Sequence, residues 1–303
     1  MHKPSFDPGL TQQFYSPLRR AINKDGTFNV HRRGTTWRDF HPYLHLVNMG
    51  WLRFFGTLVL AYTIANLIFA SIYFSMAPNQ LDGVNAATEA GRFWSDFFFS
   101  THTLSTVGYG NISPRGSMAN VVAAIEALFG VLGLAVATGL LFGRVSRPSA
   151  RLGFSDNALI TPYQDITSLQ FRVVNRRQND LVDIEARVMI MTVELKDGQP
   201  QRAYNLLKLE RERVMFLPLT WTVVHPIDKD SPLWGQTQDD LRRSQAELMI
   251  LMKAYDDTFS QTVLARYSYR FDEFLWNRRF APAFTVDPEG DLLLELKKVG
   301  EVA

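Results

Sequence analysis

The hydrophobic positions of this 303-residue chain are unevenly spread. Residues 54–76 hold no charged side chain and are dominated by Leu, Ile, Val, Phe and Ala. A second run, 117–143, is interrupted by one acid, Glu126. About 20 consecutive apolar residues cross the hydrocarbon core of a bilayer as a helix, so both runs predict membrane-spanning helices. Between them, residues 92–105 are aromatic and apolar but too short to cross. Backbone that leaves the helix at membrane depth is tolerated only where protein buries it or it lines a watery cavity. The pattern therefore predicts a half-crossing helix and an extended return.

Beyond residue 152 the period changes. Ile184, Ala186, Val188 and Ile190 alternate with polar residues, which predicts a strand with one buried face. Asp197-Gly198 follows as a hairpin turn signal. Further short strands are predicted at 214–216, 221–225, 247–253, 261–269 and 293–296, with a little helix near 239–245. Short strands at regular intervals point to a β-sandwich. The expected plan is a cytoplasmic N-terminal segment (1–36), an interfacial helix (37–48), an outer span (50–76), a pore helix and its return (92–110), an inner span (117–146) and a cytoplasmic β-domain (152–303).

Sidedness comes from the basic residues. Arg32, Arg33, Arg38 and Arg53 precede the first span, and Arg144, Arg147 and Arg151 follow the second. The loop 77–91 carries Asp82 and Glu89 but no Lys or Arg. The positive-inside rule then puts both termini in the cytoplasm and brings the re-entrant segment in from outside. The first residues lack the apolar core of a signal peptide, so insertion is expected to rely on the internal spans.

Composition adds exclusions. A net charge of +2 gives no case for nucleic acid as a partner. The absence of cysteine excludes a disulfide framework and thiolate metal sites. The soluble half has no Walker loop, nucleophile elbow or metal-binding spacing, so an enzyme is not expected, and no cofactor is implied. His225 is a lone histidine in a strand-like run and reads as structural.

The chemistry lies at Thr106-Val107-Gly108-Tyr109-Gly110, between the short helix and the second span. A dehydrated potassium ion needs oxygens in place of its water, and four loops of this sequence supply rings of backbone carbonyls. Thr106, Val107, Gly108 and Tyr109 are the expected K+ ligands, and a homotetramer is the assembly this requires. Gly108 and Gly110 permit backbone angles that an L-residue resists. A dinucleotide-binding reading of Gly108-Tyr109-Gly110 fails, because Ser113 stands where the third glycine belongs and no strand precedes it.

The second span should line the pore below this filter. Leu134, Thr138 and Phe142 recur at helical spacing on one face, and four copies of Phe142 could close a hydrophobic constriction. Gly130 and Gly139 fit either hinges or close packing. Glu126 is expected to support the back of the pore helix by hydrogen bonds, with His102 and Thr103 as possible partners. Trp51 and Arg53 mark the inner membrane boundary and, with Arg144, Arg147 and Arg151, could meet anionic headgroups; topology alone would also account for them.

Three stretches carry a family resemblance: Ile22–Val30, the run Trp221-Thr222-Val223-Val224-His225-Pro226-Ile227-Asp228 with its flanks 219–233, and 265–276 ending in Arg279-Phe280. With the filter, they make the chain similar to prokaryotic inward-rectifier potassium channels of the KirBac type. The resemblance implies an immunoglobulin-like cytoplasmic sandwich, a slide helix near 37–47, a homotetramer in the bacterial inner membrane, and control by phosphoinositides or other anionic phospholipids. It also marks two departures. Leu134 stands where strongly rectifying members carry an acid, which implies weak rectification. His102 and Asn111 replace an acid and a base that brace the filter in many members. The alternative from another class is a membrane-anchored binding protein with a channel-like anchor.

Overall fold

The computed structural model describes residues 8–13, 20–34, 36–146 and 150–303. The chain divides into two units, one of residues 34–147 and one joining 1–33 to 148–303.

The first unit is helical. Helix α1 (Pro42–Asn48) is followed by α2 (Trp51–Ser75), α3 (Glu89–Leu104) and α4 (Ser117–Val145). The interfacial helix expected over 37–48 is broken: a single 3-10 turn covers Trp37–Asp39, and α1 starts afresh at Pro42. Proline lacks an amide hydrogen and suits the first turn of a helix rather than its interior. Helices α2 and α4, of 25 and 29 residues, are long and apolar enough to cross a membrane. At about 1.5 Å per residue both exceed the roughly 30 Å hydrocarbon core. Within the chain α2 buries only Phe54, Asn66, Ala70 and Tyr73, and α4 only Ala119, Glu126 and Leu140. The remaining apolar surface is left for lipid or for other copies to cover. Two short strands, β1 (Leu81–Asp82) and β2 (Ser113–Pro114), pair across the loops on either side of α3.

The second unit is a sandwich. One sheet contains β6 (Leu181–Lys196), β7 (Gln199–Leu207), β8 (Arg213–Phe216), β10 (Glu247–Asp256) and β11 (Gln261–Arg270). The other contains β3 (Leu152–Phe154), β4 (Ala158–Tyr163), β5 (Ile166–Asn175), β9 (Thr220–Ile227) and β12 (Phe274–Trp276). A hairpin of β13 (Phe284–Val286) and β14 (Leu292–Leu294) and a short helix, α5 (Gln238–Arg243), complete it. Ile184, Ala186, Val188 and Ile190 all point into one core with Leu169, Phe171 and Val173 of the facing sheet. The β6–β7 turn is at Asp197-Gly198, both at positive φ (53° and 75°), as a type I′ hairpin demands.

Candidate functional site

Helix α3, the expected pore helix, is pinned at its start. Thr88 caps it by accepting from the Gly91 amide at 3.1 Å. Arg92 reaches back to the end of α2, donating to the carbonyls of Phe74 (2.8 Å) and Met76 (2.7 Å) across the Phe74 ring. Those carbonyls have no partner within the helix, and a cation there also suits the helix dipole.

At its other end α3 runs directly into residues 106–110, the expected filter. The carbonyl of His102 accepts from the amides of both Val107 (3.0 Å) and Gly108 (3.1 Å). Thr106, Gly108 and Gly110 have φ of 62°, 56° and 80°, so every second residue is left-handed. Alternation of this kind turns successive carbonyls to the same side, the arrangement that replaces an ion's hydration shell. The His102 ring meets the Tyr109 ring edge-on, with centroids 4.8 Å apart. Past Gly110, a Cβ on Gly83 would lie 2.0 Å from the Asn111 carbonyl, and the β1–β2 bridge holds this return loop.

Helix α4 packs against the end of α3. A Cβ on Gly130 would stand 2.1 Å from the Leu104 carbonyl. Of the two readings left open for Gly130, this contact supplies close packing, while Gly139 has nothing within 4 Å of its Cβ position. Leu134, Thr138 and Phe142 are exposed in the single subunit, Phe142 at 70%. Glu126 bonds neither His102 nor Thr103. Its carboxyl lies between Tyr73 of α2 and Ser100 of α3, facing positions that sequence spacing does not relate.

Two similarities decide the family. Residues 152–303 match the model of the inward rectifier potassium channel C-terminal domain, and residues 54–147 match an ion channel model. The chain is 35% identical over 288 residues to inward rectifier potassium channel Kirbac3.1 of Paramagnetospirillum magnetotacticum, covering 94% of this chain and 96% of that one. The chain belongs to the inward-rectifier potassium channel family. It is also 27% identical to G protein-activated inward rectifier potassium channels 4 and 2 of Homo sapiens, each over 89% of this chain and about 70% of theirs. Membership makes it a membrane ion channel rather than an enzyme.

Near the C-terminal end of α4 the basic residues expected at headgroups differ in their surroundings. Arg144, expected at lipid headgroups, gives its guanidinium to α1: Nη1 donates to the Leu46 (2.6 Å) and Val47 (2.9 Å) carbonyls and Nη2 to that of Met49 (2.7 Å). Its charge also lies over the rings of Trp51 and Phe54. The hydroxyl of Tyr43 sits 2.7 Å from the Cβ position of Gly143, so the lack of a side chain there lets α1 approach. Arg53 and Arg151 are exposed. Arg147 lies outside the described residues.

In the sandwich, sequence reasoning missed a clamp on the N-terminal segment. The buried carboxylate of Glu247 accepts from the amides of Ala21 and Ile22, and Ser268 donates to the Ile22 carbonyl at 2.6 Å. Arg20 and Lys24 pair with Glu273 at 2.5 and 2.9 Å. Burial raises the Glu273 carboxyl, but the Lys24 hydrogen bond, the Arg270 amide and both positive charges outweigh it and hold it below the usual range. The one signal in the sequence was Glu247 itself, an acid opening an apolar strand. His225 is buried; its Nδ1–H donates to the Lys208 carbonyl (2.6 Å), and Nε2 accepts from Ser231 (2.8 Å). Burial lowers its pKa, with the Lys208 carbonyl and Asp228 acting against that. Both ring nitrogens are used within the fold.

Proposed function

We propose that four copies of this chain form a passive potassium pore in a bacterial inner membrane, with both termini cytoplasmic. The observation that carries this reading is the filter, whose left-handed residues alternate between a pinned pore helix and a second membrane-length helix. Carbonyls of Thr106, Val107, Gly108 and Tyr109 coordinate K+ in rings contributed by the four subunits. The exposed stripe of Leu134, Thr138 and Phe142 faces the conduction path, and Phe142 closes it by dewetting at the cytoplasmic mouth. Gly139 is the remaining hinge candidate. Leu134 offers no charge to an intracellular cation, so rectification is weak.

Anionic phospholipids, phosphoinositides among them, modulate this gate. Trp51, Arg53, Arg147 and Arg151 are each candidates to bind a headgroup. Arg144 acts with them by tying α1 to the end of α4, so that a lipid holding α1 biases the gate.

Purified protein reconstituted in liposomes should pass K+ or Rb+, exclude Na+ and be blocked by Ba2+. Absence of potassium-selective flux across vesicles with and without anionic lipid would overturn the reading. Phe142→Ala should raise basal flux, and unchanged flux would remove Phe142 as the constriction.

A further inference from the structure

Behind the filter, α2, α3 and α4 meet at four polar side chains that a single subunit already shuts from solvent. Asn66, Ser100 and Glu126 have no exposed surface, and Tyr73 has 1%. Tyr73 packs in an apolar cluster with Phe99, Ala119 and Phe69. Because one chain completes this enclosure, no neighbouring copy is needed to build it.

The hydrogens in the cluster can be counted. The Asn66 amide nitrogen donates to the Tyr62 carbonyl at 2.8 Å, which turns its oxygen, Oδ1, towards Ser100. The Ser100 hydroxyl lies 3.1 Å from that oxygen and 2.5 Å from Glu126 Oε1. A hydroxyl carries one hydrogen, so it cannot donate to both. Tyr73 donates to the other carboxyl oxygen, Oε2, at 2.7 Å. Every contact is filled if Glu126 bears a hydrogen and gives it to Ser100, while Ser100 gives its own to Asn66. A carboxylate here would be a buried charge, and among the described residues no Lys, Arg or His forms an ion pair with Glu126.

The cluster bears on the filter through α3. Ser100 stands two residues before His102, whose carbonyl holds the Val107 and Gly108 amides. Its neighbour Thr101 accepts at its carbonyl from Tyr62 of α2 at 3.1 Å. A shift of α3 along its axis would therefore carry the filter with it. We propose that Glu126, in its hydrogen-bearing form, is a positioning residue for the selectivity filter, fixing the depth of the pore helix against both spans through Ser100 and Tyr73. This rests on reading 106–110 as a potassium filter.

The test uses full-length protein in liposomes and reads the K+ to Na+ permeability ratio, with oligomer elution as the assembly control. Glu126→Gln keeps one donor and one acceptor and should hold the wild-type ratio. Glu126→Leu removes both and should lower the ratio about tenfold, the scale of stranding buried polar partners. If Glu126→Leu does not assemble, Ser100→Ala carries the test and should lower the ratio in the same direction. The proposal is overturned if Glu126→Leu, or Ser100→Ala in its place, is as selective as wild type. It is overturned equally if Glu126→Gln is as unselective as Glu126→Leu. A wild-type protein without potassium-selective flux would instead sink the channel reading.

Discussion

The two units of this chain solve the burial of polar groups in opposite ways. The sandwich keeps a conventional core: Ile184, Val188, Leu169 and Phe171 face one another, and polar side chains lie mostly outside. The helical unit is inverted. Its outward surface is apolar, and its most enclosed positions include Asn66, Asp96, Ser100 and Glu126. Lipid gives no reward for hiding apolar surface, so hydrogen bonds and close backbone approaches define the packing there. Small changes to polar or glycine positions should therefore do most damage in the helical unit, and loss of apolar volume most damage in the sandwich.

The sharpest break of that contrast is at the filter. Gly108→Ala forces a side chain onto φ of 56°, a strain of about 1–2 kcal/mol per subunit. Potassium over sodium selectivity in liposomes should be lost while the sandwich remains folded by circular dichroism. Next comes Gly130→Val, which sets a branched side chain against a backbone carbonyl that cannot yield. Flux should fall to background or tetramers should fail to form on size exclusion; wild-type flux would show that α3 and α4 can separate.

In the sandwich, Phe171→Ala empties a fully enclosed site and should cost about 3–5 kcal/mol, read as a lower thermal midpoint. The same variant should leave ion selectivity unchanged if the two units divide these roles. The smallest effect is expected from acid on His225. Burial keeps its folded pKa below the ordinary 6.5, so the unfolded chain takes up the proton first as pH falls. Its contribution is complete above about pH 6.5 and is lost as pH falls towards the depressed value. His225→Gln should flatten that part of the stability–pH curve, and an unaltered slope would assign the acid response elsewhere.

Much of this was legible because local rules governed it. Asp197-Gly198 could only be a tight turn, and the alternation at 184–190 could only bury one face. The left-handed backbone at Gly108 and Gly110 was legible because glycine permits those angles. The role of Gly130 was not, since a glycine in a helix looks the same whether it bends or lets another chain segment approach. The partners of Glu126 were equally hidden: Tyr73 is 53 residues away and Ser100 is 26, and no periodicity links them.

The sequence by itself determined the two membrane-length helices, the short helix between them, the left-handed backbone of Gly108 and Gly110 and the β-rich second half. Each depends on hydrophobic period or on residue-specific backbone freedom, which act over a few neighbours. Only the tertiary structure decided that Arg144 is committed to the carbonyls of α1, that Glu247 grips the N-terminal segment, and that Glu126 joins α2, α3 and α4. A polar side chain reports that it needs a partner; which one it obtains depends on distances that folding alone sets.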